Sequence, residues 1–425
     1  MWKLPANRSE TAFPDGKAPY DTKQAVAEAS RCLYCYDAPC QRACPTSIDI
    51  PEFIRRIATG NERASAKTIF DSNILGASCA RVCPVEVLCV GDCVHNAAGV
   101  PPIQIGRLQR YATETAVANG WRFFEAGPSS GRKVALVGAG PASLAAAHEL
   151  RRQGHAVTIY ERAPLPGGLN VTGVAPYKIP AHEALAELEW VLGIGGVEVV
   201  TGVEVGKDVA LADLEKTHDA VFVGIGLGPD RMLPGHVPTG VYGAVAWIER
   251  MKLGRVDLAG VVHAVVVGGG NTAIDCVREL VGLGVPCVTM AYRGTEAKMS
   301  GYKHEWDAAK KQGARAAWEA TPVGYVGEDR VRAVRLRAPN GAEWDEPAEL
   351  VLVAIGQSKL GGALVDLGIE TDNGVIRVDA DGATTRRGWY AGGDCSNGGK
   401  EVVNAVAEGK RAAIAIDRYL SGATG

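Results

Sequence analysis

The stretch KVALVGAGPASLAAAHELRRQGHAVTIYER, residues 133–162, reads as strand, glycine turn, helix, strand and acid. Gly138 permits a tight turn. Gly140 lets the backbone approach a pyrophosphate at a helix N-terminus, where amides and the helix dipole favour negative charge. Ser143 takes the third glycine position and is small enough for close helix–strand packing. Glu161 ends the second strand, where a carboxylate can accept hydrogen bonds from an adenosine ribose. A glycine turn alone is a weak signal, but one set between strand and helix and followed by this acid is strong. The competing reading is a βαβ unit that is only structural.

Outward toward the C-terminus the pattern recurs. VVHAVVVGGGNTAIDCVRELVGLGVPCVTMAYRG, residues 261–294, repeats the turn with Gly268, Gly270 and Ala273. No acid ends its second strand, where Tyr292, Arg293 and Gly294 stand instead. An arginine there can face a 2′-phosphate, which leans toward NADP; a solvated surface arginine is the equal alternative. Near the end, GWYAGGDCSNGGKEVVNAVAEGKRAA gives a short strand, a glycine turn with Asp394, and a helix from about Val402.

Outward toward the N-terminus the texture is different. Eight of the 11 cysteines lie in two runs, CLYCYDAPCQRACP with Cys32, Cys35, Cys40 and Cys44, and CARVCPVEVLCVGDC with Cys79, Cys83, Cys89 and Cys93. Two four-cysteine runs, each with a Cys-Pro, suit two iron–sulfur clusters, and a Cys-Pro cysteine closing such a run often ligates the other cluster. Crossed ligation is therefore expected. Disulfides would need an oxidising compartment, and no secretion signal is visible. Zinc would suit two C-x2-C pairs, and only one is present. Unligated structural cysteines rarely bunch so tightly. Between the runs, IPEFIRRIATGNERASAKTIFDSN has helical periodicity, with Phe53, Ile54, Ile57, Ala66, Ile69 and Phe70 on apolar faces. IGRLQRYATETAVANGW reads as a helix leading out, with Leu108, Tyr111 and Ala112 inward, and EAGPSSGRK as a linker. Residues 1–30 read as an extended arm entering a short helix, or as a disordered tail up to Tyr20.

The length of 425 residues allows two or three domains. At 47% hydrophobic and 22% charged residues, with a net charge of −3, the composition is globular and leaves no footprint for nucleic acid or an anionic membrane. No apolar run is long enough to span a bilayer. With the cysteine pattern this predicts a cytoplasmic protein.

Two dinucleotide units with a C-terminal G-G-D turn resemble the two-dinucleotide flavoprotein reductases. That resemblance implies FAD in the first unit, contacted by Gly138, Gly140, Ser143, Glu161, Gly168 and Leu169, with Asp394 bonded to the ribityl chain. It implies NAD(P)H in the second, at Gly268, Gly270, Asn271, Thr272 and Arg293. AVFVGIGLG and LVLVAIG resemble the strands crossing between the two. The implied fold is α/β: a helical iron–sulfur domain at 1–130, an FAD domain split into 131–237 and 345–425, and an NAD(P) domain inserted at 238–344. No redox C-x2-C stands beside the flavin, so the electrons are expected to leave through the clusters. Cys276, Cys287 and Cys395 read as small core residues.

The order of these units resembles the glutamate synthase small subunit and, more closely, the electron-input part of dihydropyrimidine dehydrogenase. CLYCYDAPCQRACP, ILGASCARVCP, LCVGDC, PIQIGRLQRYAT and GAGPAS carry the likeness, which runs from about Cys32 to the end. It implies one [4Fe–4S] cluster on Cys32, Cys35, Cys40 and Cys93. It implies a second on Cys44, Cys83, Cys89 and Gln109, leaving Cys79 a bystander. A glutamate replaces Gln109 in the glutamate synthase subunit. One stretch departs: VAPYKIP puts Lys178 where the dehydrogenase family has an arginine, making it a candidate for tuning charge near the flavin.

No FMN barrel, molybdenum or tungsten site, or amidotransferase segment is visible. The resemblance therefore implies hydride exchange between NAD(P)H and FAD, then single-electron transfer through the clusters to a partner catalytic subunit. A dihydropyrimidine dehydrogenase subunit ranks first. A tungsten aldehyde oxidoreductase or glutamate synthase-like complex is the alternative. Two other readings have less support. A catalytically dead nucleotide fold is opposed by the complete glycine turns with Glu161 and Asp394, and a nucleic-acid module by the neutral charge.

Overall fold

The computed structural model describes residues 2–422. The cysteine-bearing segment is a small helical domain. Its helices Thr22–Ala29, Ile50–Ala58 and Glu62–Ser72 start where Asp21, Asp49 and Asn61 accept a backbone N–H of the first turn. Phe53, Ile54, Ile57, Ile69 and Phe70 from these helices meet Leu108 and Ala112 of helix Ile105–Ala118 in a core that solvent does not reach. The helical periodicity of the sequence thus becomes one apolar seam.

The reductase portion holds two five-stranded parallel sheets. The strands are β1 Lys133–Val137, β2 Ala156–Glu161, β3 Val197–Thr201, β4 Ala220–Val223, β5 Val241–Gly243, β6 His263–Val267, β7 Cys287–Ala291 and β8 Arg315–Ala317. They continue as β9 Thr321–Val326, β10 Ala333–Arg337, β11 Glu343–Pro347, β12 Leu350–Val353, β13 Thr371–Asp372, β14 Val375–Ile376 and β15 Trp389–Ala391. The first sheet runs β15-β4-β1-β2-β3 and the second β5-β12-β6-β7-β8. β9–β11 form an antiparallel sheet, and β13–β14 a short hairpin. Parallel strands buried on both faces explain the unbroken apolar runs at Val134–Val137, Val221–Val223 and Leu350–Val353.

One expected boundary is corrected. A flavin segment beginning at 345 would include β12, but β12 pairs in parallel with β5 and β6, at the centre of the second sheet. All four of its residues are buried, so LVLV is a core strand of the second unit and not a crossing segment. The chain returns to the first sheet only at β15, beside β4.

The N-terminal arm is ordered by packing, and the disordered-tail alternative is overturned over its described length. Ser9 N–H donates to Gly254 O at 2.8 Å and Gly16 N–H to Tyr177 O at 2.8 Å. Glu10 is buried, pairs with Arg8 at 2.7 Å and accepts from Ala181 N–H at 2.9 Å. Further along, Asp15 binds the buried guanidinium groups of Arg81 and Arg110, which also share Glu114. The arm thus ties the helical domain to both nucleotide units.

Helix Val402–Leu420 lies along helix Pro141–Arg152, and Gly409 sits at their closest approach, where a Cβ would run into the Ala142 carbonyl. Gly409→Val forces these helices apart and is expected to cost roughly 1–3 kcal/mol, the usual penalty of overpacking. A thermal melt of the purified variant checks this; an unchanged Tm would mean the crossing is loose.

Candidate functional site

The first cavity is built from both cysteine runs. Cys32, Cys35 and Cys40 of the first run and Cys93 of the second line a cavity of about 360 Å3 open to solvent, with Ile50, Ile54, Ile103 and Ile105 as its apolar wall. Burial pushes the Cys40 thiol up to about 12, with Cys32, Cys93 and Cys35 adding to the shift. A bare thiolate is disfavoured in such a pocket, and bound iron supplies the positive charge that stabilises it.

The second group is more buried. The Cys89 thiol is pushed up by burial and by Cys83, Cys44 and Cys40 nearby. Cys79 is the first influence on Cys83, one helical turn away, so the structure keeps Cys79 beside the group and not apart from it. Gln109 is buried, and its Nε2 donates to Gly76 O at 2.8 Å. A carbonyl can only accept, so the amide nitrogen is fixed there and Oε1 is left as the donor atom for a metal. No three His, Cys, Asp or Glu side chains among the described residues close on a single-ion site. One zinc would draw its thiolates to about 2.3 Å, whereas the sulfurs here surround a space.

The first glycine turn is held open by close backbone packing. Gly138 has φ +92°, and a Cβ there would lie 2.5 Å from Gly224 O, so the turn accepts only glycine. A Cβ at Gly140, the residue before helix Pro141–Arg152, would meet nothing nearer than 4.0 Å, so the turn faces open space. Ser143 lies in the first helical turn, buried, with an unpartnered Oγ. Gly167 N–H donates to Ala139 O at 2.9 Å, which brings Gly168 and the short helix Leu169–Thr172 against the same turn. Asn170 follows, buried, with Oδ1 unpartnered. Asp394 comes from the far end of the chain. Gly393 brings it close to Ala142, and burial holds its carboxyl above the usual carboxylate range. Gly138, Gly140, Ser143, Gly168, Leu169 and Asp394 therefore surround one cleft. The two orphaned polar atoms and the glycine cradle fit a dinucleotide such as FAD.

Glu161 also lies at this turn, where its carboxylate accepts from Ala139 N–H and Ala163 N–H, each at 2.8 Å. It braces the turn as well as facing the ribose position.

In the second unit Gly268 has φ +140° and is backed by the Ala354 carbonyl, and Gly270 precedes helix Asn271–Gly282. Asn271 Oδ1 accepts from Tyr302 N–H at 2.9 Å, and Thr272 stands beside it in the first turn. Arg293 is exposed after β7 and makes no ion pair among the described residues. These residues form a second cleft that fits the nucleotide end of NAD(P)H.

Lys178 is placed differently from a free charge beside a flavin. Its Nζ lies 2.9 Å from both Asp275 and Glu305, on two helices of the second unit, and these carboxylates hold its pKa above the usual lysine range against burial. Its observed contacts are those of a clamp between units. Sequence reading missed the rest of that clamp. Lys252 is fully buried and donates to Asn170 O, Val174 O and Ile179 O at 2.8–2.9 Å. Tyr177 donates to Asp275 at 2.6 Å. Glu187 accepts from Ala77 and Ser78 N–H at 2.7 and 3.0 Å, docking the flavin-side helix Ala181–Leu192 on the cysteine domain; burial pushes it up to about 7. A lone lysine in AVAWIERMKL and a glutamate among apolar neighbours in AHEALAELEW were the only hints available.

Comparison with known proteins agrees with this architecture. Residues 9–121 match the family described as dihydropyrimidine dehydrogenase domain II, 4Fe-4S cluster, and residues 132–409 the pyridine nucleotide-disulphide oxidoreductases. The chain is 37% identical over 401 residues to the NAD-dependent dihydropyrimidine dehydrogenase subunit PreT of Escherichia coli K12, covering 94% of this chain and 95% of that protein. It is 34% identical over 453 residues to the glutamate synthase [NADPH] small chain of Halomonas elongata, covering 98% and 95%. Among solved structures, Mycobacterium tuberculosis FprA in complex with NADPH superposes with a TM-score of 0.57 at 19% identity, covering 70% of this chain and 86% of that one. Thermoplasma-type thioredoxin reductase (T. acidophilum) gives 0.56 at 22% identity, covering 69% and 100%. The likeness of fold, the two family matches and the full-length relatives converge: the chain belongs to the pyridine nucleotide-disulphide oxidoreductases that carry a dihydropyrimidine dehydrogenase-type 4Fe-4S domain, and it is an FAD-dependent NAD(P)H oxidoreductase.

Proposed function

We propose that this chain is the electron-input subunit of a larger cytoplasmic oxidoreductase, with two [4Fe–4S] clusters, one FAD and one NAD(P)H site. Its partner is a catalytic subunit of dihydropyrimidine dehydrogenase type, with uracil or thymine as the eventual substrate. The observation that carries this reading is the gathering of Cys32, Cys35, Cys40 and Cys93, from both runs, around one cavity. Gln109, with its amide nitrogen anchored, supports a second cluster on Cys44, Cys83 and Cys89.

FAD and NAD(P)H supply hydride chemistry when bound, and the clusters supply single-electron transfer. The protein's part is position. Gly138, Gly140 and Gly168 admit the pyrophosphate to backbone amides at a helix N-terminus. Asp394 offers an acceptor to a ribityl hydroxyl, and Gly268 and Gly270 seat the nicotinamide nucleotide. Lys252 and Lys178 fix the 168–180 loop between the two clefts, so that the stacking geometry is set before either cofactor arrives. The 34% identity to a glutamate synthase small chain across 98% of this chain supports a second reading, an input subunit for that enzyme class. No helix among the described residues is long and apolar enough to cross a membrane.

The isolated chain is expected to reduce viologen dyes with NAD(P)H and to leave uracil untouched until a PreT-type partner's catalytic subunit is added. Turnover of uracil, or of glutamine with 2-oxoglutarate, by the single chain would sink the subunit reading. Anaerobically prepared protein is expected to carry about eight iron and eight sulfide. Cys79→Ser is expected to keep all of it and Gln109→Ala to disturb one cluster; loss of about four iron in Cys79→Ser would reverse that assignment. Asp394→Ala is expected to lose FAD on desalting, because a buried hydroxyl is left unpaired. Full flavin retention would remove Asp394 from the site. If Arg293 reads a 2′-phosphate, Arg293→Ala weakens NADPH by on the order of 1–3 kcal/mol and leaves NADH unchanged; equal losses in flavin-bleaching titrations would make it a surface arginine.

A further inference from the structure

Lys17 sits in the N-terminal arm with its side chain turned inward. Its Nζ donates to Cys83 O at 2.9 Å, and it lies within electrostatic reach of Cys83 and Cys89. No carboxylate comes within 4.0 Å of it among the described residues. Glu86, the acid that acts on it most, is turned to His304 at 3.3 Å. The ammonium cannot drift. Lys17 N–H donates to Asp15 at 3.1 Å, its carbonyl accepts from Arg110, and Gly16 N–H is bonded to Tyr177 O at 2.8 Å. Arg110 is the neighbour of Gln109 in the chain. A largely buried cation without a counter-charge is costly. It is out of place unless an anion stands before it.

A thiolate-ligated cluster is such an anion, and it gains one further negative charge on reduction. A fixed cation beside its ligands stabilises the reduced form more than the oxidised form, and cluster potentials follow local charge, hydrogen bonding and exposure. The first cavity differs: no lysine or arginine lines it. We infer that Lys17 is a positioning residue that raises the reduction potential of the cluster on Cys44, Cys83 and Cys89, setting the two clusters apart in potential. An electron entering the pair then rests first on this second cluster. This rests on the ligand assignment proposed above.

The test is an EPR-monitored redox titration of the full chain, prepared anaerobically, with iron measured on every sample. Lys17→Gln is expected to lower the second cluster's midpoint by at least the equivalent of a tenfold change in its reduced-to-oxidised ratio, about 59 mV for one electron. Lys17→Arg keeps the midpoint, and the cluster on Cys32, Cys35, Cys40 and Cys93 does not move. A midpoint that Lys17→Gln leaves unchanged, or that falls equally in Lys17→Arg, overturns the inference. If Lys17→Gln loses the second cluster's iron, Glu86→Gln decides: removing the opposing charge raises the same midpoint, and an unmoved or lowered value overturns the inference. The ligand assignment fails separately. Cys83→Ser that keeps both EPR signals and all the iron refutes that reading, whereas intact clusters with an unmoved Lys17→Gln midpoint refute only the role of Lys17.

Discussion

The ammonium of Lys252, with no exposed surface, is bonded to the carbonyls of Asn170, Val174 and Ile179, and the arrangement of the reductase depends on it. Burial pushes its pKa down to about 7, while three carbonyls at 2.8–2.9 Å call for three N–H donors, which only the charged form has. A buried charge is tolerated when every hydrogen is bonded. Removing it would leave three carbonyls unpaired in the same loop, at roughly 1–3 kcal/mol each. Lys252 belongs to the inserted unit and the loop to the other, so the wall of the first cleft is shaped by the domain that carries the second.

The same economy of contact appears at the cysteines. Neither cysteine run encloses its cavity alone, and the wall of the first is completed by Ile103 and Ile105, beyond the second run. Arg81 and Arg110 then lock the arm, the helical domain and the flavin-side helix into one network through Asp15, Glu114 and Glu183. Buried ion pairs of this kind add little net stability, but breaking one member is expensive, so they fix geometry more than they raise stability.

Much of this was readable in the residues. Gly138, Gly140, Gly268 and Gly270 announce their turns because a backbone that tight admits no side chain. The helices around Phe53 and Leu108 announce themselves by apolar period. The cysteine runs declare a cluster domain by spacing. What was not readable depends on partners remote in the chain. Lys178 meets Asp275 and Glu305 about a hundred residues later, and no local pattern encodes that. The LVLV strand was assigned to the wrong sheet because an apolar run reports burial and not which neighbours do the burying. The arm looked like a tail because its anchors are backbone hydrogen bonds, to which composition is blind.

The strand order of the first sheet bears on how the chain is made. β15, residues Trp389–Ala391, pairs with β4, Ala220–Val223, and everything between them builds the inserted unit and the β13–β14 hairpin. During synthesis the second sheet has all its strands by Val353, while the first still lacks an edge. Helix Val402–Leu420, which covers it at Gly409, has yet to emerge. Domains fold as units as they leave the ribosome, so here the inserted one matures first and serves as a template for its host. Until the last helix arrives, β4 presents an unpaired parallel edge, the kind of surface on which nascent chains stick to one another. A truncation late in the gene would therefore be far more harmful than its distance from the cysteines suggests.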